Sequence, residues 1–126
     1  MAFKNTAVSK MIREDLEKTQ GGYEIVQASL LERMGVKKVS LSELHVNPND
    51  EFSDPEIGPN DSIVNNYSSI ARRDASLGLP VYEEPIVVCK IRSGGFMMLN
   101  GHHRWAGAIL AHIAKVRIQI TNPKNI

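Results

Sequence analysis

Phe96-Met97-Met98-Leu99-Asn100-Gly101-His102-His103-Arg104-Trp105-Ala106-Gly107-Ala108 reads as a short apolar strand that stops at a glycine and turns into a helix. Trp105, Ala106, Ala108, Ile109, Leu110 and Ile113 recur at the i, i+3/i+4 spacing of a buried helix face. A helix that starts at His102 leaves its first backbone N–H groups without partners, and its dipole adds partial positive charge there. Two imidazoles and a guanidinium on the same turn make it fit for an anion, phosphate first. Arg104 ranks first as a bidentate phosphate partner, then His103, then His102. On this reading Arg104→Ala abolishes phosphate binding and leaves the fold intact.

Working outward, Pro85–Ile91 is rich in β-branched residues and predicts a strand, with Ser93-Gly94-Gly95 turning it back into Phe96–Leu99. The helix should run from about His102 to Ala114, and Val116–Ile120 alternates apolar and polar as a last strand. Gly107 inside the helix costs ~1 kcal/mol against alanine, which implies a close helix–strand approach or tight packing. Trp105 and Cys89 read as core. Upstream, Asp61 or Ser62 should open a helix that carries Ile63, Val64, Tyr67 and Ile70 and ends near Leu77-Gly78. Arg72-Arg73 on it read as a solvated face.

The first third predicts two helices. One runs from Thr6 to about Lys18 with Val8, Met11, Ile12 and Leu16 as its stripe. The other runs from about Tyr23 to Met34 with Ile25, Val26, Leu30, Leu31 and Met34 facing one way. Val36–Leu41 is a strand, Ser42 caps a short turn, and His45 reads as a loop or surface residue. The fold class is α+β, a small mixed sheet packed with helices and preceded by two N-terminal helices. Residues 1–35 form the helical extension and 36–126 the domain proper, compact as a whole.

Between Asn47 and Asn60 lies the longest irregular stretch, with Pro48, Pro55, Gly58 and Pro59. It holds Asp50, Glu51, Asp54 and Glu56 and no basic residue. Glu51, Asp54 and Glu56 are candidates for a Mg²⁺ ligand or for the general base of a phosphoryl transfer, and their spacing does not choose among them. The bland alternative is a solvated acidic loop. A zinc site from His102, His103 and His112 is rejected, because adjacent residues face apart and the His-Glu-x-x-His arrangement is missing.

Composition agrees with one soluble domain. The 126 residues are 42% hydrophobic and 23% charged, with formal net charge +1, which argues against coating nucleic acid by charge alone. The balance is uneven, with 11 acids against 7 Lys/Arg up to Ile70 and 8 Lys/Arg against 3 acids from Ala71 onward. The lone Cys89 excludes an internal disulfide. The N-terminus lacks a signal peptide's apolar core and no run reaches membrane-spanning length, so the expected location is the cytoplasm, away from membranes.

Pro85-Ile86-Val87-Val88, the hairpin, Leu99-Asn100-Gly101-His102-His103-Arg104-Trp105-Ala106-Gly107-Ala108 and Val116-Arg117-Ile118 together resemble the ParB/sulfiredoxin-like superfamily. The group includes the N-terminal domain of ParB partition proteins, sulfiredoxin and a free-serine kinase. The resemblance spans about Val36 to Ile120 and implies ATP, ADP or CTP with its phosphates on Gly101, His102, His103 and Arg104. His102 stands where sulfiredoxin has its catalytic cysteine and ParB commonly a glutamate, so sulfiredoxin chemistry is not expected. Asn100 stands where the kinase-like members, which share the Gly-His-His-Arg turn, carry an aspartate. The chain also stops short of the helix-turn-helix domain that follows this fold in ParB. The leading expectation is nucleotide binding, with phosphoryl transfer or nucleotide hydrolysis drawing on Glu51, Asp54, Glu56 or His102 and a divalent ion. The rival is a non-enzymatic module that binds DNA or a protein, with a homodimer open and nuclease activity behind both.

Overall fold

Ile86–Ile91 and Phe96–Asn100 form the antiparallel hairpin that the turn at Ser93-Gly94-Gly95 announces, and the rest of the chain is arranged around it. In the computed structural model, which describes residues 6–19, 23–54 and 56–123, the elements are α1 (Thr6–Thr19), β1 (Ile25–Val26), α2 (Leu30–Arg33), β2 (Lys37–Ser40), β3 (Leu44–His45), α3 (Asp61–Ser76), β4 (Ile86–Ile91), β5 (Phe96–Asn100), α4 (His102–Leu110) and β6 (Lys115–Ile120). Single 3₁₀ turns lie at Leu41–Glu43 and Glu51–Ser53.

The strands form one mixed sheet in the order β2-β6-β4-β5-β3, with β1 beside the C-terminal half of β4. β4 runs parallel to β6 and β3 parallel to β5, and the other pairs are antiparallel. Both helix-carrying connections, α3 and α4, pack against each other over the sheet, burying Val64 and Ala71 from α3 and Trp105, Ala106 and Ala108 from α4 against Ile86, Val88, Val116 and Ile118. The fold is α+β. Val8 and Ile12 of α1 are buried in that same core.

The second predicted helix is corrected. Ile25 and Val26 pair with Ile91 and Lys90 as a strand, and Ile25 joins a small cluster with Cys89, Ile91, Met97, Tyr23 and Leu99. Helix appears only after Ser29, whose side chain accepts from the Glu32 amide while Glu32 Oε1 accepts from the Ser29 amide, a capping box. Leu30, Leu31 and Met34 therefore point outward, at 67, 79 and 59% exposure. The stripe counted as a helix face is divided between a sheet edge and solvent. Lys90 Nζ to Glu32 Oε2 (2.5 Å) and Gln119 Nε2 to the Arg33 carbonyl (2.6 Å) tie this segment to the sheet.

α4 also ends earlier than its apolar pattern suggests, at Leu110 rather than Ala114. His112 takes φ +59°, the Ile113 amide donates back to the Ala108 carbonyl (2.9 Å), and the helix closes as a Schellman turn with histidine in the place usual for glycine. Gly107 serves tight packing of α4 on α3, one of its two expected roles, and the close approach is to a helix and not to a strand. A Cβ there would stand 2.7 Å from Tyr67 Cβ and 2.8 Å from the Ser68 nitrogen. Among the described residues no helix is long and apolar enough to cross a membrane.

Candidate functional site

Gly101 ends β5 with φ +105°, a conformation L side chains rarely adopt, and a Cβ on it would come within 3.1 Å of Ile86 and 3.0 Å of Arg104 Nη2. From that turn α4 starts without a side-chain cap. Its first intrahelical bond runs from the Trp105 amide to the Gly101 carbonyl (3.0 Å). The amides of His102, His103 and Arg104 have no acceptor among the described residues. Three aligned N–H groups at a helix start are the partial positive charge an anion seeks.

Arg104 lies beneath the turn and is buried. Its Nη1 donates to the carbonyls of Glu84 (2.8 Å) and Pro85 (3.0 Å), holding the entry to β4, while no described acceptor takes Nη2 beside Gly101. The residue ranked first for phosphate thus has a fold role as well. Tyr82 Oη completes the support by donating to the Arg104 carbonyl (2.7 Å).

The acidic loop comes down onto this turn, and the two histidines hold it at both ends. His102 Nε2 accepts from the Asn47 amide (3.0 Å), and His103 Nε2 accepts from the Asn60 amide (3.0 Å). An amide only donates, so both Nε2 atoms carry lone pairs and both rings are neutral, with their proton on Nδ1. His102 is 4% exposed, with Nδ1 3.8 Å from Asp50 Oδ2. Desolvation drives its pKa down to about 4, outweighing the opposing pull of Asp50. Burial also lowers His103, again against Asp50. Phe52 is wedged between them, its ring 5.2 Å from each imidazole and 6.2 Å from Trp105.

Of the acidic candidates, Glu51 and Glu56 line a cleft of about 430 Å³ together with Asp50, Asn60 and His103. Asp54 is not part of that lining, and its Oδ1 accepts from the Glu56 amide (2.8 Å). So the structure brings His103, Glu51 and Glu56 together, and places His102 and Asp54 in the scaffold. The residues that sequence reasoning passed over are Asn47, Asp50, Phe52 and Asn60. One readable trace existed, since Phe52 is an aromatic residue in an otherwise acidic, proline-broken loop.

His45 is corrected from a surface residue to a tether. It lies on β3, and its Nδ1 meets Asp15 Oδ1 of α1 at 2.7 Å, while Asp15 Oδ2 accepts from the Val46 amide (2.7 Å).

The comparisons bear on the fold. No family model and no curated protein matches the sequence. Among solved structures, the C-terminally truncated chromosome-partitioning protein ParB from Caulobacter crescentus, complexed with CTP-γ-S, matches with a TM-score of 0.56 at 19% identity over 72% of this chain. The same protein complexed to the centromeric parS site matches with a TM-score of 0.53 at 20% identity over 71%. The fold is ParB-like. The matches cover 46% and 42% of the ParB chains, so this chain corresponds to under half of them.

Proposed function

We propose that the first turn of α4 binds the phosphates of a cytoplasmic nucleotide, ATP, ADP or CTP. The observation that carries this reading is the row of three unfilled amides, His102 to Arg104, behind a left-handed Gly101. Arg104 Nη2 beside Gly101 is the side-chain donor closest to hand, and His103 stands at the rim of the cleft. The ParB-like fold supports it, since one of the solved ParB structures is complexed with CTP-γ-S. Three amides and a guanidinium are donors only, as a phosphate requires.

Binding is the function we assign. A phosphoryl-transfer or hydrolytic step would have Glu51 and Glu56 as its acid–base groups, because these carboxylates line the cleft while Asp54 and His102 are spent within the fold. Among the described residues no three acidic, histidine or cysteine side chains gather into a metal site of their own; a Mg²⁺ arriving with the nucleotide would be held by phosphate oxygens and one or two carboxylates of the cleft.

The test is thermal unfolding against CTP, ATP, ADP and GTP, with and without Mg²⁺, followed by amide NMR. A ligand at 100 times its dissociation constant adds ~2.7 kcal/mol, and the amide signals of His102, His103 and Arg104 should move most. A panel without any shift refutes the reading.

A DNA-binding reading has two observations of its own, the ParB neighbour complexed to parS and the basic balance after Ala71. It expects a gel shift that weakens steeply with salt.

A further inference from the structure

By residue type the Gly-His-His-Arg turn is a set of donors for an anion, yet both of its imidazoles are acceptors. Each takes an amide proton from the acidic loop, one from its first residue and one from its last. Within the loop, Ser53 Oγ donates to the Asn47 carbonyl (2.9 Å), the Phe52 amide to Asp50 Oδ1 (2.9 Å) and the Gly58 amide to the Asp54 carbonyl (2.7 Å). These bonds staple the described residues of the loop into a unit held at its two ends by the imidazoles of α4 and at its middle by Phe52, which is 2% exposed in the core beside Trp105.

We propose that the Asn47–Asn60 loop is a lid over the first turn of α4, latched at its two ends by His102 and His103 and freed at those ends when they take up protons, with the buried Phe52 left as its remaining hold. The inference rests on the nucleotide reading only for what the lid covers. The chemistry of the latch is direct. An Nε2 that receives a proton loses the lone pair that holds the amide, and an N–H then faces an N–H. Each attachment turns from attraction to repulsion without any change of backbone.

The surroundings set when this happens. From the loop, Asp50 faces both rings and favours their charged forms, and Glu51 and Glu56 line the cleft that His103 borders. On α4 His103 opposes the charging of His102, and Arg104 is turned below toward the Glu84 and Pro85 carbonyls. From α3, Asp61 follows Asn60 directly. Beyond the other end of the loop, Asp15 and His45 are occupied with each other. Burial keeps both imidazoles uncharged at neutral pH, so the lid is shut there, and His103, the more exposed of the two, lets go first. An anion on the α4 amides would favour both imidazoliums. By linkage, ligand and acid then open the lid in the same direction, and the carboxylates above the turn withdraw as phosphate arrives.

The experiment needs no ligand, so its failure is separate from that of the nucleotide reading. Amide exchange of Asn47 and Asn60 is followed by NMR from about pH 7.5 to about 3.5, so that the window passes the His102 midpoint of about 4, corrected for intrinsic exchange, with histidine ring signals reporting protonation. Val88 on β4 is the control for global unfolding. Protection of Asn60 should fall roughly tenfold, the weight of one good hydrogen bond, as His103 titrates. Asn47 should follow with His102 at lower pH while Val88 stays protected. His103→Gln offers an amide oxygen in place of Nε2 and cannot be protonated, so Asn60 should stay protected throughout. Protection of Asn60 that outlasts protonation of His103 overturns the proposal. So does an unchanged loss in His103→Gln, or loss of Val88 protection at the same midpoint.

Discussion

Replacing Gly107 with alanine sets two effects of opposite sign against each other, and the structure decides which wins. In an isolated helix alanine is better by ~1 kcal/mol. Here the new methyl would sit 2.7 Å from Tyr67 Cβ, 2.8 Å from the Ser68 nitrogen and 2.9 Å from the Tyr67 carbonyl carbon. Ordinary carbon contacts lie at about 3.5–4.0 Å, so α3 has to retreat by roughly 1 Å. Two of the three opposing atoms are backbone, so no rotamer change relieves the clash. Overpacking of this kind costs typically ~1–3 kcal/mol, and with backbone in the way the upper end applies. After the propensity gain the net loss is ~2 kcal/mol. With an unfolding entropy of about 2.1 cal/mol/K per residue, that is a fall of about 7–8 °C in Tm. Thermal unfolding by circular dichroism, checked by urea titration, measures it. A variant as stable as the parent, or more so, would show that α3 yields freely and refute the argument. Because Asn60 caps α3 and also donates to His103, the same retreat should weaken that end of the loop.

Three further outcomes follow from single residues. His102 has a folded-state pKa of about 4 against 6.5 for an ordinary imidazole. The unfolded chain therefore binds the extra proton between those values, and stability present above pH 6.5 is lost as pH falls toward 4. The integrated loss is on the order of 3 kcal/mol, and urea titrations across that window should show a shallower slope in His102→Gln. Arg104→Ala removes two charged-donor bonds from the Glu84 and Pro85 carbonyls, each worth ~1.5–3 kcal/mol. Contrary to the expectation from sequence, it should lower Tm in the absence of any ligand, and an unchanged Tm would count against the fold role. His112→Gly relieves a left-handed histidine at the end of α4 and should raise stability by ~0.5–1 kcal/mol, read from the same melts.

What the sequence disclosed and what it withheld divide along range. The hairpin, the glycine and the start of α4 were readable because each depends on neighbours a few residues away, and Gly101 at φ +105° is where a strand-to-helix turn needs a glycine. Local pattern misled at Tyr23–Met34. There Ile25 and Val26 satisfy a helical spacing and a strand equally, and only the edge of β4 decides between them. It misled again at the end of α4, where histidine holds a position that glycine would have announced. The site shows the same boundary more sharply. Its residue types were legible, but their polarity was not, since His102 and His103 are bonded to amides 55 and 43 residues away. Imidazole can give or take a hydrogen bond, and its direction is set by whatever the fold lays against it. A Gly-His-His-Arg turn met as a string therefore looks like four groups for one phosphate. Folded, it separates into layers: an amide row that is free, a guanidinium anchored below with one nitrogen to spare, and two imidazoles that hold an acidic loop above. On the lid proposal, access to that turn depends on moving the loop, and the bonds to the two neutral imidazoles are what that movement has to break first.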